Sequence, residues 1–287
     1  MSENNKRWFT EEEPDYGSSF SLSIKEKLHD EQSPYQRIEV YETGHFGRLM
    51  AIDGLIMLTD LDNFIYHEMM THPALLTHPA PENILIVGGG DCGSLREVLK
   101  HSEVKTAHQV EIDERVTRVS EQFFPSLCES NNDPRAEFYF TDALQWLKES
   151  EDGAYDVIII DSTDPIGPAL KLFSESFYRD CNRCLSANGV LIAQSESPLF
   201  HMPIIKSMQE AMHAAGFTEI ATLQFPQCSY PSGWWSVTLA CKEKNIHNFR
   251  KPASDSTVIE TKYYNEKVHA AALVLPNFML TSLTTKN

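Results

Sequence analysis

Two carboxylates three residues apart, Asp161 and Asp164 in the run Asp161-Ser162-Thr163-Asp164-Pro-Ile-Gly-Pro168, directly follow the apolar stretch Val157-Ile-Ile-Ile160. The apolar stretch reads as a buried strand, and open α/β sheets bind ligands outside the carboxyl ends of their strands. An acid pair there suits a positively charged substrate, or a proton that has to be removed. A second turn, Gly88-Gly-Gly-Asp91-Cys-Gly93, follows another apolar run, Ile84-Leu-Ile-Val87. Its small residues let backbone approach a ligand, and the helix that follows offers free N–H groups. The same glycines also serve tight strand–helix packing. Asp91 narrows the choice, because a carboxylate in that turn repels a pyrophosphate and favours a carrier with a free amine. The two turns together predict an enzyme that joins a nucleotide-like carrier to a cationic small molecule.

Other candidates lie at corresponding places. Glu111 ends the next strand about 20 residues beyond the glycine turn, where an acid can hold ribose hydroxyls; the plain alternative is a solvated strand end. Asp142 ends the following strand and could accept from an adenine amino group. Tyr66-His67-Glu68 and Tyr230-Pro-Ser-Gly-Trp-Trp235 set aromatics beside polar groups, a pattern that core packing also produces. Asp161 and Asp164 could cap a helix, but the following Pro-Ile-Gly-Pro does not continue as one. Cys181-Asn-Arg-Cys184 is the only CxxC. No second pair or histidine cluster completes a zinc site, so no metal is expected and a helix face explains the spacing.

The elements that must position these groups fall into two rhythms. The first 80 or so residues read as strands and turns: 20–24 and 35–41 alternate, and 48–52 and 55–58 flank Asp53-Gly54, a hairpin signal. A helix follows over 64–76, and Pro79 and Pro81 mark a boundary, giving an N-terminal β-strand domain over 1–80 and a catalytic domain over 81–287. In the second part, strands at 84–87, 106–111, 137–141, 157–160, 189–194, 219–223 and 235–241 alternate with helices such as 94–100, 115–124 and 201–215, which implies parallel βαβ units. The net charge of −17 argues against nucleic acid or an acidic membrane as partner. No segment reads as a membrane span or a signal peptide, so the expected location is cytoplasmic, where the six cysteines stay reduced.

In order along the chain, Tyr35-Gln36, Asp53-Gly54, Tyr66-His67-Glu68, Gly88-Gly-Gly-Asp91, Glu111-Ile-Asp113, Asp161 to Pro168, Gln194, Tyr230-Pro-Ser-Gly233 and Tyr263-Tyr-Asn265 with His269 resemble the polyamine aminopropyltransferase family, and within it the spermidine synthases. The resemblance runs from about Trp8 to about Leu275. It implies an α/β fold: a Rossmann-like methyltransferase-type domain preceded by a small N-terminal β domain, as a homodimer or homotetramer. It further implies transfer of an aminopropyl group from decarboxylated S-adenosylmethionine, a co-substrate and not a resident cofactor, to putrescine, giving spermidine and 5′-methylthioadenosine. Carried over by motif, Asp161 is the proton acceptor, and Gln36, Glu111, Asp142, Ala143 and Pro168 hold the methylthioadenosine portion. His67, Asp91 and Asp161-Ser162-Thr163-Asp164 hold the aminopropyl and diamine portions, Tyr66, Gln194 and Tyr230 line the amine channel, and Trp8 closes over it. The chain departs from the family at Thr59-Asp-Leu-Asp-Asn-Phe64, which loses an Arg and a Glu near the amine end, and at Cys92 and Ala143, each in place of a Gly. The first departure leaves the acceptor open among putrescine, cadaverine, agmatine and spermidine.

The chemistry explains the acids. A primary alkylammonium titrates near 10.4, so making its neutral, nucleophilic form at pH 7 costs about 4–5 kcal/mol. A carboxylate on the attacking nitrogen lets deprotonation accompany attack, and neighbouring acids would raise the pKa of Asp161 and make it a better base. Asp91 would meet the carrier's ammonium, whereas intact S-adenosylmethionine would bring a carboxylate against it. A methyltransferase of the same architecture and a non-catalytic polyamine-binding protein are the other readings, with a nicotinamide dehydrogenase behind both.

Overall fold

The computed structural model describes residues 7–164, 167–243, 246–250 and 259–284. Strands β1 (Arg7–Glu13), β2 (Ser18–Gln32), β3 (Arg37–Thr43), β4 (Arg48–Ile52) and β5 (Leu55–Thr59) form an antiparallel meander in sequence order. The β4–β5 turn takes positive φ at both Asp53 (50°) and Gly54 (88°), the mirror-image turn whose twist matches a hairpin. Two features differ from expectation. β2 is far longer than 20–24, because two register shifts, Ile24/Glu26 and Lys27/His29, break the alternation that marks a strand in sequence. β1 is an unexpected strand: its run of Glu11-Glu-Glu13 looks solvated, yet Phe9 and Glu11 both face inward.

Helix α1 (Asn63–Thr77) follows, running through Pro73 and buried from Tyr66 to its end. Then come β6 (Asn83–Gly88), α2 (Gly93–Leu99), β7 (Thr106–Glu111), α3 (Glu114–Phe123), β8 (Ala136–Phe140), α4 (Ala143–Glu149), β9 (Tyr155–Asp161), α5 (Glu175–Cys184), β10 (Leu185–Gln194), α6 (Met202–Ala214), β11 (Glu219–Pro226) and β12 (Trp234–Cys241). α7 (Glu266–Ala272) and α8 (Asn277–Thr284) end the described chain. The seven strands order as β11-β12-β10-β9-β6-β7-β8. The five from β10 to β8 are parallel, as expected. β12 instead runs antiparallel to both β10 and β11, because the short 227–233 connection leaves no room for the crossover a parallel pair needs.

Both faces of this sheet are covered. Ile84 and Ile86, Val157 and Ile159, and Val190 and Ile192 pack with Met69, Met70, Leu75, Leu95 and Val98 of α1 and α2. The alternate residues Leu85, Val87, Ile158, Ile160 and Leu191 pack with Phe177, Tyr178, Met208 and Met212 of α5 and α6. Such double burial explains why these strands read as continuous apolar runs. Cys181 and Cys184 lie on the buried face of α5, the helix-face explanation of that spacing. The small sheet joins the large domain where Ile38, Val40, Met50 and Leu58 meet Val116, Val119 and Phe124 around α3. Helix α1 precedes the 80/81 boundary in sequence, but its apolar side chains pack on the seven-stranded sheet.

Among the buried polar groups of α1, Glu68 ties down the C-terminal segment. Its carboxylate accepts from the backbone N–H groups of Lys262 (2.7 Å), Tyr263 (2.8 Å) and Tyr264 (2.8 Å). An amide at this position turns an NH2 toward donors it cannot accept from. Glu68→Gln is expected to lower unfolding free energy by roughly 2–3 kcal/mol, read from urea denaturation. Hydrogen exchange should rise first in residues 259–284.

Candidate active site

The sheet's order reverses beside β6: the chain winds outward through β7 and β8, then returns to β9 on the other side. This is where open α/β sheets bind ligands. A cavity of about 340 Å³ opens there, walled by the carboxyl ends of β6 to β10 and by residues of the small sheet. Gly88 is required where the two strands meet: φ is 78°, and a Cβ would lie 2.2 Å from the carbonyl oxygen of Asp161. The closeness lets the Gly89 N–H donate to that carbonyl at 2.8 Å, fixing the glycine turn against the acid-bearing strand end.

Asp91, Asp161 and Asp164 all line this one cavity. Asp161 accepts from the Tyr66 hydroxyl at 2.7 Å and the Ser94 hydroxyl at 2.6 Å. Burial and then the charge of Asp91 raise its pKa, against the lowering effect of His67 and the two hydroxyls. Asp91 is treated oppositely. Burial pushes its carboxyl up, but the His67 ring at 3.1 Å and the Gly93 N–H at 2.7 Å outweigh this and hold it below the usual carboxylate range. Two adjacent acids are thus driven apart, one kept ionised and one kept proton-seeking. Asp164 is pushed well up by burial and by Glu196 behind it. Glu196 sits at φ 68°, accepts from Gln194 Nε2 at 3.0 Å and has His201 Nδ1 3.2 Å away.

The nucleotide-side candidates gather at the other end. Glu111 is only 8% exposed, so it is no solvated strand end; it accepts from the Asp113 N–H at 2.8 Å, and burial lifts its pKa to about 7. Gln36 lies on the wall and donates to Asp113 at 3.0 Å. Asp142 and Ala143 line the cavity at the start of α4, where Asp142 also caps the helix by accepting from the Leu144 N–H at 2.8 Å. Tyr66, Ser162, Thr163, Gln194 and Tyr230 complete the expected lining, and the Tyr230 hydroxyl donates to the Met57 carbonyl at 2.5 Å. The Pro168 side chain lies outside the described residues. His67 is not on the wall: it is 1% exposed and stands behind Asp91. Trp8 is 55% exposed and also off the wall.

Sequence reasoning missed Glu11. It reaches the cavity from β1, is 4% exposed, accepts from the Ile56 N–H at 2.6 Å, and burial raises its pKa to about 7. The one available signal was its two-residue spacing from Phe9 on an inward face. Counting Asp53, seven described carboxylates line the cavity against a single lysine, Lys171; the field therefore favours cations. Among the described residues no group of His, Cys, Asp or Glu is arranged to hold a metal ion, and no helix is long and apolar enough to cross a membrane.

Residues 63–251 match the family model for the spermine/spermidine synthase domain. The chain belongs to that family. Residues 7–60 match a second model, the spermidine synthase tetramerisation domain. The polyamine aminopropyltransferase of Methylococcus capsulatus is 60% identical over 271 residues, covering 94% of this chain and 95% of that relative. That of Thioalkalivibrio sulfidiphilus is 57% identical over 272 residues, covering 94% and 95%. A spermidine synthase solved in complex with the transition-state analogue AdoDATO superposes with a TM-score of 0.92 at 34% identity, covering 99% of this chain and 98% of that one. The spermidine synthase of Thermotoga maritima gives 0.89 at 33%, covering 99% and 97%. This member of the spermine/spermidine synthase family is an aminopropyltransferase with a small antiparallel sheet domain ahead of a Rossmann-like α/β domain.

The raised pKa of Glu111 sets a pH dependence of stability. Its folded value of about 7 exceeds the ordinary 4.5, so its burial costs nothing below 4.5 and destabilises increasingly as pH rises through 7. Glu111→Gln is expected to be more stable than the parent by roughly 2–3 kcal/mol at pH 8, with the advantage fading towards pH 5. Chemical denaturation of the unliganded protein across that range checks both sign and window.

Proposed function

We propose that the enzyme transfers the aminopropyl group of decarboxylated S-adenosylmethionine to putrescine, giving spermidine and 5′-methylthioadenosine, with Asp161 as proton acceptor. The observation that carries this reading is the single cavity shared by Asp91, Asp161 and Asp164, with Asp91 held ionised beside a proton-seeking Asp161. The carrier brings a sulfonium and an ammonium, and the diamine brings two ammoniums. A cavity whose described charged lining is seven carboxylates to one lysine is complementary to that load.

Each wall then has a task. Glu111 accepts from the ribose hydroxyls, Asp142 with Ala143 and Gln36 holds the adenosyl end, and the Asp91 carboxylate takes the carrier's ammonium. Pro168 remains a candidate at the adenosyl end on resemblance alone. The attacking nitrogen of the diamine lies on Asp161 beside the edge-to-face pair of Tyr66 and Tyr230, whose ring centroids are 5.6 Å apart. The far ammonium rests on Asp164, with Glu11 beyond it and Gln194 at the side. Asp161 takes one proton from the attacking ammonium, the freed lone pair forms the new N–C bond, and the C–S bond breaks with its electron pair returning to sulfur. Sulfonium becomes neutral thioether and the new secondary amine carries the charge, so one proton is released overall. Asp161 suits this step because burial and then the charge of Asp91 raise its proton affinity while two hydroxyls keep its oxygens oriented.

Exposed aromatic residues on the N-terminal unit, Trp8 and Tyr16, support assembly of that sheet into a homodimer or homotetramer. The six free cysteines fit the cytosol.

Asp161→Asn should lower kcat by 10²–10⁴-fold, the usual range for a general base, at ~pH 7.5, while carrier affinity stays near that of the parent. Turnover at the parental rate would remove the base assignment. Incubation with either the decarboxylated carrier or intact S-adenosylmethionine, and with putrescine, cadaverine, agmatine or spermidine in competition, is expected to yield spermidine and methylthioadenosine from the decarboxylated carrier. A methylated amine from the intact carrier would establish methyl transfer instead.

A further inference from the structure

We propose that His67 is a positioning residue that acts through Asp91: its ring N–H pins the Asp91 carboxylate for the carrier's ammonium and leaves Asp161 as the acid free to take a proton. The inference rests on the substrates proposed above.

Three geometric facts carry it. The His67 ring is 1% exposed and lies off the cavity wall, whereas Tyr66 before it and Asp91 in front of it are both on that wall. Its Nε2 stands 3.1 Å from Asp91 Oδ2, while Nδ1 has no partner among the described residues. The ring also occupies the space over Gly93, where a Cβ would come within 2.2 Å of it. The same glycine donates its N–H to the other oxygen, Asp91 Oδ1, at 2.7 Å. Asp91 is therefore gripped at both oxygens, by a ring that fits only because residue 93 has no side chain.

The groups facing His67 are Asp91 from the glycine turn, Asp161 from β9, Arg96 from α2 and Tyr66 beside it on α1. Arg96 is committed elsewhere, to Glu97 at 3.0 Å and the Ser126 carbonyl at 3.0 Å. Without His67, Asp91 keeps one N–H donor and faces Asp161 as a like charge across a desolvated cavity. The pair then shares a proton in place of dividing the roles. The carrier loses its anion, and the base loses its distinct proton affinity.

The test uses the full chain with His67→Leu and His67→Gln, each also combined with Asp91→Asn, and measures calorimetric Kd for decarboxylated S-adenosylmethionine and for 5′-methylthioadenosine, which lacks the ammonium. His67→Leu should weaken the decarboxylated carrier by roughly 10- to 100-fold, as when a buried charged group loses a hydrogen-bond partner, and leave methylthioadenosine unchanged. Its acid limb in kcat/KM should move to higher pH, since removing a nearby positive group raises Asp161 further. Glutamine, which can still donate to Asp91, should restore most of the affinity. In the Asp91→Asn background His67→Leu should cost nothing more. Parental carrier affinity in His67→Leu, equal loss of both ligands, or losses that add to those of Asp91→Asn would each overturn the role. A parent enzyme that binds methylthioadenosine but not the decarboxylated carrier would overturn the substrate reading and this inference with it.

Discussion

Carboxylates withdrawn from water into one cavity are the constraint around which the molecule is arranged. Like charges at such distances in a low-dielectric pocket cannot all ionise unless each is given donors or counter-charge. Here the supply is unequal. Asp91 receives an imidazole and a backbone N–H, Asp161 two hydroxyls, Glu111 and Glu11 one backbone N–H each, and Asp164 has Glu196 behind it. The result is a graded set of proton affinities in place of a uniform acidic patch. The unliganded site is costly, and cations relieve that cost, so affinity for a polycation and instability without one have the same origin.

The gradation depends on α1. Three consecutive residues on it do three different things: Tyr66 donates to Asp161 in the cavity, His67 holds Asp91, and Glu68 collects the backbone of residues 262–264. Successive helical residues point about 100° apart, so this works only on a helix surrounded on several sides. The sheet, the glycine turn and the C-terminal segment provide those sides. Buried polar residues on such a helix must each find a partner, which is why the pattern of α1 looks neither cleanly amphipathic nor cleanly apolar.

Much of the large sheet was legible, because strands buried on both faces between helices appear as short apolar runs ending in Gly or Asp. The glycine turn and the Asp161–Asp164 pair were visible for the same reason, since each follows such a run, whereas Glu111 and Asp142 were found at the ends of mixed polar and apolar strands through the alternation of strands with helices. β1 and Glu11 were not, since an edge strand rich in glutamates has the composition of a solvated segment until the Ile56 N–H of β5 is seen to donate to Glu11. The antiparallel placement of β12 was equally hidden, as its apolar run carries no direction. The 80/81 boundary follows Pro79 and Pro81, which break the local chain, and local chain breaks carry no information about which sheet α1 packs on.

Residue type and order alone determined that acids follow strand ends, that a small-residue turn precedes a helix, and which family's motifs recur. What those acids are at neutral pH was decided only by folding. A carboxyl group's charge depends on how much water it keeps and which groups surround it, and those groups come from elements far apart in the chain: His67 for Asp91, Tyr66 and Ser94 for Asp161, Glu196 for Asp164. Sequence supplies the titratable group; tertiary structure supplies the dielectric and the neighbours that set its proton affinity.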